Sequence, residues 1–222
     1  DYYGRGVKLT KQKIQTIEKE DLKLRAREIY TIASWNFACQ LLKHGNMELG
    51  WKLYDHGLNT PAEGAQKWQR ALFKPFTHSK VKPWKGENLS NKTILLLGEQ
   101  GIGDTMAFAT LIEPIIKMAK EVHLIVPQRL HAIYKRSFKT CKVYSDKDVR
   151  DNSLDEKLFD YQCALGSIPQ YIYKDVTSFK RRSFCVEANT ANTQYLKNKY
   201  LQKNKKIIIG ISWQGGGRKD RL

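Results

Sequence analysis

Apolar residues recur at a helical interval from Asp21 to Lys43, where Leu22, Ala26, Ile29, Tyr30, Ala33, Phe37 and Leu41 predict one long helix. Gly45-Asn46 ends it, because both residues tolerate the left-handed backbone of a helix C-terminus. A second periodic stretch follows through Met47, Leu49, Trp51, Leu53, Tyr54 and Leu58, so the pair reads as a helical hairpin. From Asn59 to Asn91 the chain turns polar, with Pro61, Pro75 and Pro83 and isolated aromatics, the pattern of a linker that hugs a surface. Thr93 to Leu97 is a continuous apolar run, as expected of a strand buried on both faces of a parallel sheet. Met106 to Lys120 predicts a broadly apolar helix, Val122 to Val126 a strand, and Pro127 to Phe138 a helix. Short strands are expected at Lys142 to Tyr144 and Phe159 to Leu165, then a polar helix from Thr190 to Gln202 and a last strand from Ile207 to Trp213. This alternation predicts a doubly wound α/β sheet.

The chain has 222 residues, 41% of them hydrophobic, enough for one sizeable core or one domain with an appendage. No apolar run approaches the roughly 18 to 20 residues needed to span a bilayer, and the first thirty residues lack a signal-peptide core. Cys39, Cys141, Cys163 and Cys185 are widely spaced, which suggests neither a zinc ribbon nor a disulfide framework and fits a reducing, cytoplasmic setting. The net charge of +17 raises nucleic acid or an anionic membrane as a partner. Yet the excess is mostly lysine spread from Lys8 to Lys219, with only short groups such as Lys180-Arg181-Arg182, and reads as a solvated surface. His44, His56, His78, His123 and His131 are scattered, and no metal site is expected. Gly166-Ser167 before Ile168-Pro169 reads as a strand-end turn rather than a nucleophile.

Open α/β sheets bind ligands beyond the carboxyl ends of their strands, so the loop Gly98-Glu99-Gln100-Gly101-Ile102-Gly103-Asp104 is the place to look for chemistry. Gly98, Gly101 and Gly103 carry the dinucleotide spacing in reverse. Gly98, Gly103 and Thr105 match the two glycines and final Thr of a phosphate-binding loop, but Asp104 stands where that loop has lysine. A carboxylate there repels phosphate, so the loop is built for another ligand. Asp104 has two readings: a helix N-cap, worth about 1 kcal/mol, or a base that orients and deprotonates an attacking sugar hydroxyl. In the second reading Glu99 or Gln100 lines the acceptor pocket, with Gly101 and Gly103 shaping it.

Pro83-Trp84-Lys85-Gly86, the turn ending in Asp104, then Phe108 and Pro114, resemble the glycosyltransferase-like region of bacterial tetratricopeptide-repeat proteins, itself similar to the lipopolysaccharide heptosyltransferase superfamily. Gly45 to Tyr54 resembles the last repeat before that region, and the resemblance runs from about Asp21 onward. It implies the Rossmann-like N-terminal half of a GT-B fold behind a TPR-like hairpin (1–58), with a linker (59–92), an acceptor-side domain (93–205) and the truncated start of a second Rossmann-like domain (206–222). It also implies that Asp104 is the base, that Gly215 and Arg218 or Lys219 approach the diphosphate of a nucleotide-sugar donor, and that no cofactor is bound. The acceptor is then a sugar or a protein. On this reading the chain is a fragment, inactive by itself. Two alternatives stay open: a non-catalytic scaffold whose hairpin binds a protein partner, and a basic nucleic-acid binder.

Overall fold

The computed structural model describes residues 2–58, 80–99, 101–151, 154–173, 175–178, 186–201 and 209–211. The chain divides into two compact units, Asp1–Glu187 and Ala188–Leu222.

The first unit opens with helices α1 (Tyr2–Ile14), α2 (Glu20–Lys43) and α3 (Met47–Tyr54), the last running into a 3-10 turn at Asp55–Leu58. The α2–α3 hairpin turns where the glycine pattern predicts. Gly45 adopts φ +81°, its N–H reaches Leu42 O at 3.1 Å, and Asn46 N reaches Leu41 O at 2.9 Å, the paired bonds of a Schellman cap. The Asn46 side chain then caps α3 by accepting from Leu49 N. Gly50 lets the two helices close up, since a Cβ there would lie 2.7 Å from Leu42 Cδ2. Helix α1 packs on α2 and has no counterpart in the apolar pattern.

A five-stranded parallel sheet follows: β1 (Lys82–Pro83), β2 (Thr93–Leu97), β3 (Glu121–Val126), β4 (Lys142–Ser145) and β5 (Tyr161–Ala164), in the spatial order β1-β5-β2-β3-β4. Part of the expected linker is thus a strand, locked by Trp84 N donating to Gln162 O and Gln162 Nε2 donating to Val81 O. The continuous apolar run of β2 and the β3 residues 122–126, His123 among them, are buried on both faces. Ile94, Leu96, Val122 and Leu124 join one core with Ile112, Ile115, Leu130 and Tyr134 from the crossover helices. Leu95, Leu97 and Ile125 join a second core with Val81 and Phe159.

The single helix expected from Met106 to Lys120 is broken into α4 (Ile102–Phe108), a 3-10 turn (Ala109–Leu111) and α5 (Ile112–Met118). Pro114 explains the break. Inside an unbroken helix it would lose a backbone hydrogen bond and press on the preceding turn, whereas a restart at Ile112 places it in the first turn of α5, where its missing N–H costs nothing. Helices α6 (Gln128–Ser137), α7 (Asp146–Asp151) and α8 (Pro169–Ile172) complete the unit.

In the second unit, α9 (Thr190–Leu201) forms as expected and exposes Tyr195, Leu196, Tyr200 and Leu201. Of the strand expected at 207–213, the described residues 209–211 form no strand, and Ile209 and Ile211 are exposed. An apolar strand needs a sheet beside it, and the described part of this unit has none. No helix among the described residues is long and apolar enough to cross a membrane.

Candidate functional site

From β2 the chain runs on to β3 and β4 on one side, then crosses back to β5 on the other. The carboxyl ends of β2 and β5 therefore flank the topological switch point, where open α/β sheets take their ligands. The glycine-rich turn leaves β2 at this crevice. Gly98 N donates to Ile125 O at 2.7 Å, and a Cβ on Gly98 would stand 3.1 Å from that oxygen, so a side chain fits poorly there. Glu99 N donates to Thr105 Oγ1 at 3.0 Å, and Thr105 Oγ1 lies 2.9 Å from Gly101 O. Tyr134, fully buried on α6, donates its hydroxyl to Thr105 O at 2.7 Å. The turn is thus pinned to both β3 and α6.

The two acids of the turn part company. Glu99 is 1% exposed and points inward, its Oε1 accepting from Gly166 N at 2.7 Å in the 3-10 turn Leu165–Ser167 that follows β5. Its carboxylate bridges the switch point rather than lining an open mouth. Asp104 is exposed. It is not the helix N-cap: Gly101 takes that position with extended backbone, and Asp104 occupies the third residue of α4. Its Oδ2 folds back over Gly101, where a Cβ would come within 2.5 Å of it. Gly103 has open space around the position of a Cβ, so packing does not require glycine there. Gln100, Gly215, Arg218 and Lys219 lie outside the described residues.

Three further residues of this site, Asp55, Ser167 and Gln170, escape the sequence reading as site residues. Asp55, at the end of the hairpin, accepts from Ser167 Oγ at 2.6 Å and from Gln170 Nε2. Trp51 and Tyr54 set their rings edgewise against Phe108 of α4, with centroids 6.2 and 6.3 Å away. The hairpin thus rests on both segments that leave the crevice. Tyr171, nearby, has its phenol pushed up to about 12 by burial, with Asp55 adding to the shift, so it stays neutral. Asp55 carries no signal in the sequence, because its partners lie more than a hundred residues away and only the fold brings them near.

The amino ends of the strands carry a cavity of about 550 Å³ lined by Lys80, Lys82, Lys92, Lys157 and Phe159 among others. Its Asp160 is committed to Lys92 Nζ at 2.8 Å and Thr93 N at 2.9 Å, contacts that hold the acid below its ordinary pKa. His123 is a core residue, 2% exposed, with Nδ1 3.1 Å from the Tyr144 hydroxyl and Nε2 3.2 Å from Glu121 Oε1. Burial lowers its pKa against the pull of Glu121. Among the described residues no group of three or more His, Cys, Asp or Glu is placed to hold a metal ion.

No protein-family model matches the chain, and no solved structure matches it. It is similar to Protein FlbA of Caulobacter vibrioides (strain ATCC 19089 / CIP 103742 / CB 15), 22% identical over 186 residues that cover 78% of this chain and 30% of FlbA. The chain therefore spans less than a third of the length of this curated relative.

Proposed function

We propose that this α/β unit is the acceptor-side, Rossmann-like half of a GT-B glycosyltransferase that moves a sugar from a nucleotide-sugar to an acceptor hydroxyl in the cytoplasm. The observation that carries the reading is the exposed Asp104 carboxylate, held at the carboxyl edge of β2 by a turn with buried anchors. In the reaction the acceptor oxygen bonds to the anomeric carbon, the bond from that carbon to the donor diphosphate breaks, and the hydroxyl proton passes to Asp104. Gly215, Arg218 and Lys219 would offer backbone amides and cationic groups to the departing diphosphate. A positioned base contributes about 10²- to 10⁴-fold in rate. Asp104→Asn in the complete protein is expected to lower kcat by that factor with the fold intact; turnover at the wild-type rate removes Asp104 from the role of base.

A second reading is a non-catalytic scaffold. The bridge from Glu99 to Gly166 favours it, because this contact occupies the switch-point crevice where a ligand would sit. The complete protein separates the two readings: nucleotide-sugar transfer supports the first, and a tight protein partner without transfer or donor hydrolysis supports the second.

A further inference from the structure

Glu99 and Asp55 lie far apart in sequence yet grip neighbouring residues of one turn. Gly166 N donates to Glu99 Oε1 at 2.7 Å, and Ser167 Oγ donates to Asp55 Oδ1 at 2.6 Å. Gln170 Nε2 donates to the other oxygen of Asp55. Gly166 is buried, Ser167 is 5% exposed and Glu99 1%. Hydrogen bonds among buried groups have few alternative partners, so a displacement at one is not absorbed by solvent. A shift of Ser167 passes to the adjoining Gly166 amide and on to Glu99. The Glu99 N–H is in turn held by Thr105 Oγ1, one residue beyond Asp104. On the other flank Trp51 and Tyr54 bear on Phe108, at the far end of the helix whose first turn carries Asp104.

We propose that Asp55 is a positioning residue for the turn from Gly101 to Asp104. By holding Ser167 and Gln170 it fixes the Gly166 amide that anchors Glu99, and so sets where the Asp104 carboxylate stands. The hairpin is then a structural part of the acceptor site rather than a separable arm for peptides. The consequence for catalysis rests on the transferase reading, whereas the relay belongs to the unliganded chain.

The test is a set of amide spectra of the full ¹⁵N-labelled chain. Asp55→Ala removes both acceptor oxygens. Asp55→Asn keeps one for Ser167, and Gln170 can turn its amide to accept from the new side chain. Asp55→Ala is expected to shift the resonances of Glu99, Gly101, Gly103 and Asp104 well beyond the changes caused by Asp55→Asn. Ser167→Ala, which cuts the same bond from the other side, is expected to shift the same amides. Lys52→Ala, on the exposed face of α3, should leave them in place. Shifts confined to residues 51–58 and 165–172 overturn the proposal, and if Asp55→Ala fails to fold, Ser167→Ala decides by the same criterion. These spectra need no substrate, so a complete protein without transferase activity would end the transferase reading while the relay still stands or falls by the amide shifts.

Discussion

Replacing Glu99 with alanine isolates the contact that joins the segments following β2 and β5. The carboxylate is 1% exposed and accepts the Gly166 amide at 2.7 Å, at a turn whose backbone is itself buried. A hydrogen bond to a charged group is worth about 1.5 to 3 kcal/mol net, and an orphaned buried amide costs about 1 to 3 kcal/mol. These figures describe the same contact and do not add in full. Relief of the buried carboxylate's desolvation offsets part of them, while the space left by the truncated side chain adds to the cost. The expected loss is about 2 to 4 kcal/mol. For a unit of this size, with roughly 2 to 4 °C of melting temperature per kcal/mol, that is a fall of about 4 to 16 °C. Glu99→Gln retains an acceptor oxygen for Gly166 and should cost about 1 kcal/mol. Urea titrations followed by tryptophan fluorescence and far-UV circular dichroism measure both variants against wild type. An alanine variant within about 0.5 kcal/mol of wild type, or a glutamine variant as damaging as alanine, refutes the account of Glu99 as the acceptor that ties β2 to β5.

Two other perturbations address the turn and the core. Gly101→Ala would bring a Cβ within 2.5 Å of Asp104 Oδ2, and since a carboxylate can swing aside, stability should drop by about 1 kcal/mol or less while transfer by the complete protein falls sharply; unchanged transfer contradicts the view that Gly101 holds the carboxylate in place. Burial lowers the pKa of His123, so below the ordinary histidine value of about 6.5 the unfolded chain takes up a proton that the folded chain resists. Stability should therefore fall as pH drops from 7 to 5, at no more than about 1.4 kcal/mol per pH unit from this residue, and His56, lowered by burial in the same direction, adds to the trend. His123→Phe, placed between Tyr144 and Phe159, should flatten that slope; superimposable urea midpoints against pH for the two proteins would count against it.

The fold was legible wherever one local pattern decided the outcome. Thr93–Leu97 is a strand at the bounds its apolar run predicts, and α2 begins one residue before Asp21 and ends at Lys43. Helix α1 was not legible, because Tyr-Tyr-Gly-Arg-Gly-Val-Lys places two glycines in its first half and has too few apolar positions to set a period. The break between α4 and α5 was present in Pro114, but an apolar count does not weigh a missing N–H. The same limit governs the site. Asp104 could be singled out as a candidate from its neighbours, since the mismatch with a phosphate loop lies within the short stretch from Gly98 to Thr105. Glu99 could not be oriented, because the amide that draws it inward lies 67 positions away. Nor could Asp55 be recognised before the sheet brought Ser167 and Gln170 to it.

The insertion of β5 between β1 and β2 imposes a timetable on the growing chain. β2, β3 and β4 emerge in the order in which they pair, so that side of the sheet can assemble during synthesis. β1 is made first, but its partner is β5: Lys82 waits for Tyr161, 79 positions later (161 − 82). At roughly 5 to 20 residues per second that is a delay of about 4 to 16 s. Once β2 has been made, its edge from Ile94 to Leu97 stays bare on the side that β5 will cover until β5 follows. A ribosome paused between these strands would hold out an unpaired, strongly apolar edge, the kind of surface that invites association with other chains.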